Sequence, residues 1–248
     1  MRAPAAEAPE GGYRKAMSEV RRAEVDTGVV VLTLDRPPVN ALETGFVREL
    51  TSAVEEASGQ AAGIVLTGAG RAFSAGVDTK AAATLDAGGQ RAGVEAINSL
   101  VTTLFGLPVP VVAAINGHAL GGGLIVPLAC DVLVVTRAES KLGLTEVVAG
   151  VPFPAAPLEV CRQRLSAPVY NDLCLTGRVF GPEEALSLRI ADELAAPDEL
   201  VPRAIEIAAR LAGYPAYARV KDQVRAAARA AIDEAVERDP LLTGWLSA

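Results

Sequence analysis

The chain predicts an α/β fold, a mostly parallel sheet covered by helices, and three observations carry that expectation. Short aliphatic runs without polar alternation read as strands buried on both faces. Stretches with apolar residues at three- and four-residue steps separate those runs, giving a strand-then-helix rhythm. Hydrophobic residues make up 50% of the 248 positions and aromatics only 4%, so the core of this fold is aliphatic.

The elements follow in order. Met1 to Gly12 is rich in Ala, Pro, Glu and Gly and lacks the apolar core of a signal peptide, so 1–20 reads as a flexible N-terminal extension. Val29 to Leu34 is a β-branched strand ended by Pro37 and Pro38, which cannot donate to a ladder. Phe46, Val47, Leu50, Val54 and Ala57 then recur at helical spacing, with Glu43 or Thr44 at the start. Gly63 to Thr67 is a second strand. A helical stretch from about Ala92 to Phe105, a strand at Pro110 to Ile115, a helix opening at Gly121-Gly122-Gly123 and a strand at Asp131 to Thr136 repeat the rhythm. Pro127 inside that helix predicts a kink. Beyond Gly150 the text turns helical, with amphipathic segments at Ala204 to Leu211 and Val220 to Val236.

Composition excludes some functions. Lys and Arg total 23 against 30 Asp and Glu, a formal charge of −7, which disfavours nucleic acid and anionic membranes as partners. The longest apolar stretch, Leu107 to Val135, is broken by Asn116, His118, the glycines and Asp131, which argues against a membrane span. Cys130, Cys161 and Cys174 are odd in number and read as buried free thiols in a reducing cytoplasm.

Two glycine-bearing turns expose backbone amides: Ser74-Ala75-Gly76-Val77-Asp78-Thr79-Lys80, and Asn116 to Gly123. Helix starts beside glycine leave N–H groups unpaired at the positive end of the dipole, a setting suited to a developing oxyanion. Neither turn matches a dinucleotide or P-loop pattern. His118 reads as structural, since no Ser or Cys nucleophile motif accompanies it. Asp78 and Asp131 read as turn or helix caps. Lys80 is either a contact for a phosphate or a solvated helix residue.

Several motifs in order resemble the crotonase, or enoyl-CoA hydratase/isomerase, superfamily: Leu34-Asp35-Arg36-Pro37 with Asn40-Ala41-Leu42, Phe73 to Asp78, Ile115 to Gly123, Ala129-Cys130-Asp131, Leu142 to Glu146, and Leu175 to Arg178. The resemblance implies a crotonase-like spiral of ββα units over 21–197 and a helical C-terminal trimerisation region over 198–248. It also implies a homotrimer or a dimer of trimers working in fatty acid metabolism. The substrate would be an acyl-CoA thioester, with coenzyme A entering as part of the substrate and no separate cofactor or metal. By motif position the amides of Val77 and Gly122 would hold the thioester oxygen. Arg36, Pro38, Ala75, Gly76, Asp78 and Lys80 would bind along the coenzyme A, and Gly121, Gly123, Ile125 and Phe153 would line the pocket.

The carboxylates separate the possible reactions. The hydratases of this superfamily carry two glutamates, and here the first position holds Ile125 while the second holds Glu146. Adding water needs a group to activate it and a proton donor at carbon 2, a division of labour that suits two carboxylates. Moving a double bond from carbon 3 to carbon 2 needs one carboxylate to shuttle a proton. The resemblance therefore points to an isomerase with Glu146 as acid/base, ahead of a non-catalytic acyl-CoA-binding homologue and a 2-enoyl-CoA hydratase. After Glu146, where many active members carry a glycine-rich loop, this chain reads Gly150-Val151-Pro152-Phe153-Pro154-Ala155-Ala156-Pro157. Such an apolar wall is expected to raise the pKa of Glu146 by desolvation.

Overall fold

The structure is a computed structural model that describes residues 18–243 and 245–246; Met1 to Gly12 and most of the expected 1–20 extension lie outside them. In chain order the strands are β1 (Val20–Glu24), β2 (Val29–Leu34), β3 (Gly63–Gly68), β4 (Ala72–Ser74), β5 (Val111–Ile115), β6 (His118–Leu120), β7 (Val132–Thr136), β8 (Leu142–Gly143), β9 (Val179–Phe180) and β10 (Glu193–Ala195). The helices are α1 (Thr44–Ser58), α2 (Thr79–Ala83), α3 (Ala87–Gly106), α4 (Gly122–Leu128), α5 (Glu146–Ala149), α6 (Ala155–Arg164), α7 (Ala167–Thr176), α8 (Pro182–Ser187), α9 (Leu200–Ala212) and α10 (Tyr217–Glu237). A short 3-10 turn, Pro240–Thr243, follows. No helix among the described residues is long and apolar enough to cross a membrane.

The larger sheet runs β1-β2-β3-β5-β7-β10, parallel except for the antiparallel β1–β2 pair. Alternating side chains leave its two faces. Val30, Leu32, Leu34, Ile64 and Leu66 enter the main core, whereas Val29, Val31, Val65, Val112, Ala114 and Val134 meet Leu200, Ala204, Ile207 and Ala208 of α9. Both faces are therefore covered, which is why these strands read as unbroken apolar runs. On α1 the buried side chains are Phe46, Val47, Leu50, Val54 and Ala57, one stripe at helical spacing.

A second sheet, β4-β6-β8-β9, stands apart from the first. Its strands are two or three residues long, too short for any alternation to mark them in the sequence. Three long strands each run into a short one and then a helix: β3-β4-α2, β5-β6-α4 and β7-β8-α5. This is the expected spiral of ββα units. Because β4, β6 and β8 pair in parallel, with Ala72 opposite His118 and Leu120 opposite Gly143, the chain leaves all three in the same direction. The loops at Gly76, Gly121 and Thr145 are thereby set side by side. Pro127 lies one residue before the end of α4, so the proline marks a stop more than a bend.

Candidate active site

The first of these loops is fixed by Asn40. Its backbone is left-handed at φ 52°, a conformation asparagine tolerates better than most residues, and its side chain is buried. Asn40 Nδ2 donates to the carbonyls of Ala69, Ala72 and Phe73, and its Oδ1 accepts from Arg36 N. Ser74 Oγ donates to Asn40 O and accepts from Gly76 N. Ala75 N donates to Val39 O, and Leu42 N donates to Gly76 O. The 36–42 segment and the 72–77 segment thus form one stitched unit.

The second loop meets the first at closest backbone range. A Cβ on Gly123 would overlap Ser74 O, and a Cβ on Gly76 would lie 2.5 Å from Leu120 O and 3.1 Å from Gly122 N. Only glycine permits this approach at 76 and 123, and Gly76, at φ 80°, also needs the left-handed region. Among the described residues neither the Val77 nor the Gly122 amide donates a hydrogen bond within the chain. Gly122 opens α4, where an unpaired N–H is expected.

The third loop brings Glu146. A Cβ on Gly121 would sit 3.1 Å from Glu146 Oε1 and 3.4 Å from Thr145 Oγ1, so the carboxylate lies against the turn that carries Gly122. Glu146 is 8% exposed and its Oε2 has no hydrogen-bond partner among the described residues. Burial pushes its pKa up to about 7, slightly opposed by a backbone hydrogen bond. Val77, Gly122 and Glu146 share the wall of one cavity of about 60 Å³ with Ile125, Pro152 and Trp245. The group is apolar apart from the amides, Thr145, Thr79 and the one carboxylate.

The other expected positions divide. Ala75, Gly76, Gly121 and Ile125 line the cavity, and Ile125 is 2% exposed where a second carboxylate would have to stand. Gly123 lies beneath the lining, against Ser74. Phe153 is a correction: Pro152, Pro154 and Pro157 face the cavity, while Phe153 packs on the main core. Asp78 caps α2 by accepting from Ala81 N and lines a neighbouring cavity. Pro38 and Lys80 are exposed, and Lys80 has no ion-pair partner among the described residues. Arg36 is held by Glu19 and Glu43 and also reaches Ala41 O. His118 Nδ1 accepts from Lys141 N, a structural bond. Asp131 is no simple cap: it accepts from Val111 N and pairs with Lys221 and Arg225 inside the protein. The three cysteines are buried free thiols, and burial first of all raises the pKa of each, Cys130 to about 12 and Cys174 to about 11.

A larger hollow of about 520 Å³ borders α10, with Tyr214, Tyr217 and three cationic side chains on its wall. Those cations are already engaged: Lys221 and Arg225 with Asp131 and nearby carbonyls, Arg164 with Asp192 and Asp131 O. Val77, Gly122 and the unpartnered Glu146 carboxylate lie on the smaller cavity. Its converging glycine loops accompany a match of residues 24–243 to the enoyl-CoA hydratase/isomerase family.

The chain belongs to the enoyl-CoA hydratase/isomerase family. It is 34% identical over 218 residues to the probable enoyl-CoA hydratase EchA17 of Mycobacterium tuberculosis, covering 87% of this chain and 80% of the relative. It is also 33% identical over 225 residues to the carnitinyl-CoA dehydratase of Proteus mirabilis, covering 88% and 85%. The crystal structure of the probable enoyl-CoA hydratase EchA3 of M. tuberculosis superposes with a TM-score of 0.82 at 30% identity, over 88% of this chain and 93% of that one. Asn40, Ser74, Ile97 and Trp245 were not picked out as site residues from sequence. Asn40 alone offered a signal, as an isolated asparagine after a double proline; the others have apolar or commonplace surroundings.

Proposed function

We propose that this family member converts 3-enoyl-CoA thioesters to 2-enoyl-CoA thioesters, with Glu146 as the only acid/base. The observation that carries this reading is a single buried carboxylate beside two unpaired amides, opposite an isoleucine. The thioester oxygen would accept from Val77 N and Gly122 N. Glu146 removes a proton from carbon 2, and the electron pair moves onto the thioester oxygen as an enolate. The same carboxyl returns that proton at carbon 4, the double bond moves between carbons 2 and 3, and composition is unchanged. Each amide that meets the oxyanion is worth about 3 kcal/mol in known sites of this type. Hydration of a 2-enoyl thioester is disfavoured because Ile125 can neither activate nor orient water. Lys80, exposed and without an ion-pair partner among the described residues, would be free to meet the coenzyme A phosphates, whereas Arg36 would first have to leave Glu19 and Glu43.

The test is conversion of a 3-enoyl-CoA followed through the conjugated product, with hydration of a 2-enoyl-CoA assayed in parallel. Glu146→Gln should lower isomerisation by about 10²- to 10⁴-fold. For a base with pKa near 7, kcat/KM should climb as pH rises through neutrality and then level. Efficient hydration by the wild type would overturn the reading. Tight acyl-CoA binding with no isomerisation and no deuterium exchange at carbon 2 would leave a binding protein instead.

A further inference from the structure

The geometry points to Trp245 as the residue that sets acyl-chain length, an inference that rests on the acyl-CoA reading above. Next to the 60 Å³ cavity of Glu146 lies a second of about 240 Å³, between α1, α2 and α3. Three residues, Val77, Ile97 and Trp245, belong to the walls of both, so they form the partition between them. Trp245 is the largest of the three and the only tryptophan in the chain.

Trp245 is a fixed wall. It is 6% exposed, and its Nε1 donates to Pro152 O at 2.9 Å. The next residue, Leu246, donates through its backbone to Gln90 Oε1 on α3. A Cβ on Gly93 would lie 3.8 Å from the indole, an ordinary van der Waals distance, so the ring packs against α3 beside that glycine.

The far chamber suits an acyl tail. Leu42, Val47, Ala82 and Leu85 line it, and the carboxylate-bearing Glu43 and Asp78 on its wall disfavour phosphate. A short acyl chain fits beside Glu146, whereas a longer one must pass the indole to reach the chamber. The wild type therefore selects short chains, and removing either the indole or Ile97 joins the two spaces.

Equilibrium binding of saturated butanoyl-, octanoyl- and dodecanoyl-CoA tests this without requiring isomerisation. The wild type should bind butanoyl-CoA about tenfold more tightly than dodecanoyl-CoA, the scale on which an apolar pocket discriminates chain length. Trp245→Ala should erase or reverse that order, and Trp245→Phe should keep it. Ile97→Ala opens the partition from α3 without touching the C-terminal segment, so it should shift the order in the same direction even if Trp245→Ala disturbs that segment. Quenching or a spectral shift of the lone tryptophan on binding butanoyl-CoA would add support. An unchanged order in both Trp245→Ala and Ile97→Ala, or a wild-type preference for dodecanoyl-CoA, overturns the inference while leaving the acyl-CoA reading intact. Failure of every chain length to bind overturns both.

Discussion

The proposed base role of Glu146 calls for a neutral-range pKa, and burying the carboxylate without a partner on Oε2 raises its pKa to about 7. The same burial opposes folding whenever the group is ionised. Its folded pKa, about 7, lies above the ordinary carboxylate value of 4.5, so folding favours the protonated form. That stabilisation is complete below the unfolded pKa and is lost as pH rises through about 7, a span of about 3 kcal/mol. Glu146→Gln does not titrate. The stability of the variant relative to wild type should accordingly rise by about 2 kcal/mol between pH 5 and pH 8, whatever fixed cost the amide brings. Urea unfolding of both proteins at the two pH values measures it, and a difference independent of pH would mean that Glu146 has an ordinary pKa.

Among the elements, α6 shows how the cavity wall is held. It begins just after Pro152 and Pro154, and its first two amides are capped from a distance: Ala155 N donates to Asp239 Oδ2 and Ala156 N to Asn98 Oδ1. Asn98 Nδ2 donates to the same Asp239 oxygen, and Leu241 N to the other. Asp239 thereby ties α3, the start of α6 and the segment leading to Trp245 into one polar knot, itself buried. Asp239→Ala would leave three donors without their acceptor, the buried Asn98 Nδ2 and the part-buried amides of Ala155 and Leu241, each costing up to about 1–3 kcal/mol. It should lower stability by about 3 kcal/mol or more and shift Trp245 emission toward that of a wetter indole; unchanged emission would show that the knot does not position the ring. None of this was readable beforehand, because Asn98 and Asp239 are 141 positions apart. What was readable had local causes. The β2, β3, β5 and β7 runs are apolar on both faces, and the buried stripe of α1 repeats at helical spacing. β1 escaped notice because only Val20 of its five residues is buried, and β4, β6 and β8 because two or three residues make no pattern. The glycines of the site were legible as backbone permissions. Which loops they bring together depends on the second sheet, and Phe153 and Asp131 were misplaced because their partners come from other elements.

Across the whole molecule, Asp131 ties the C-terminal helix α10 to the larger sheet. This residue ends the loop before β7, accepts from Val111 N of β5 at 2.7 Å, and holds two cations of α10, Lys221 at 2.7 Å and Arg225 at 2.9 Å. Arg225 also donates to Phe105 O and Cys130 O, and its guanidinium lies 4.1 Å from the Phe105 ring centre, so α10 is bound to both α3 and the sheet. The three charged side chains are largely shielded from water, and burial lowers the pKa of Lys221 while Asp131 opposes that change. Removing one member of such a group leaves the others charged and unpaired, a loss of about 3–5 kcal/mol. Asp131→Ala should lose stability on that scale in urea unfolding. Because α10 leads directly to the turn before Trp245, it should also change the tryptophan emission although the substituted residue lies outside the Glu146 cavity. Lys221→Met, which leaves Arg225 to neutralise Asp131, should cost less. If Asp131→Ala and Lys221→Met prove equally mild, α10 is held by its apolar face against α6 and α3 alone, and the charged group is not what fixes the C-terminal wall of the site.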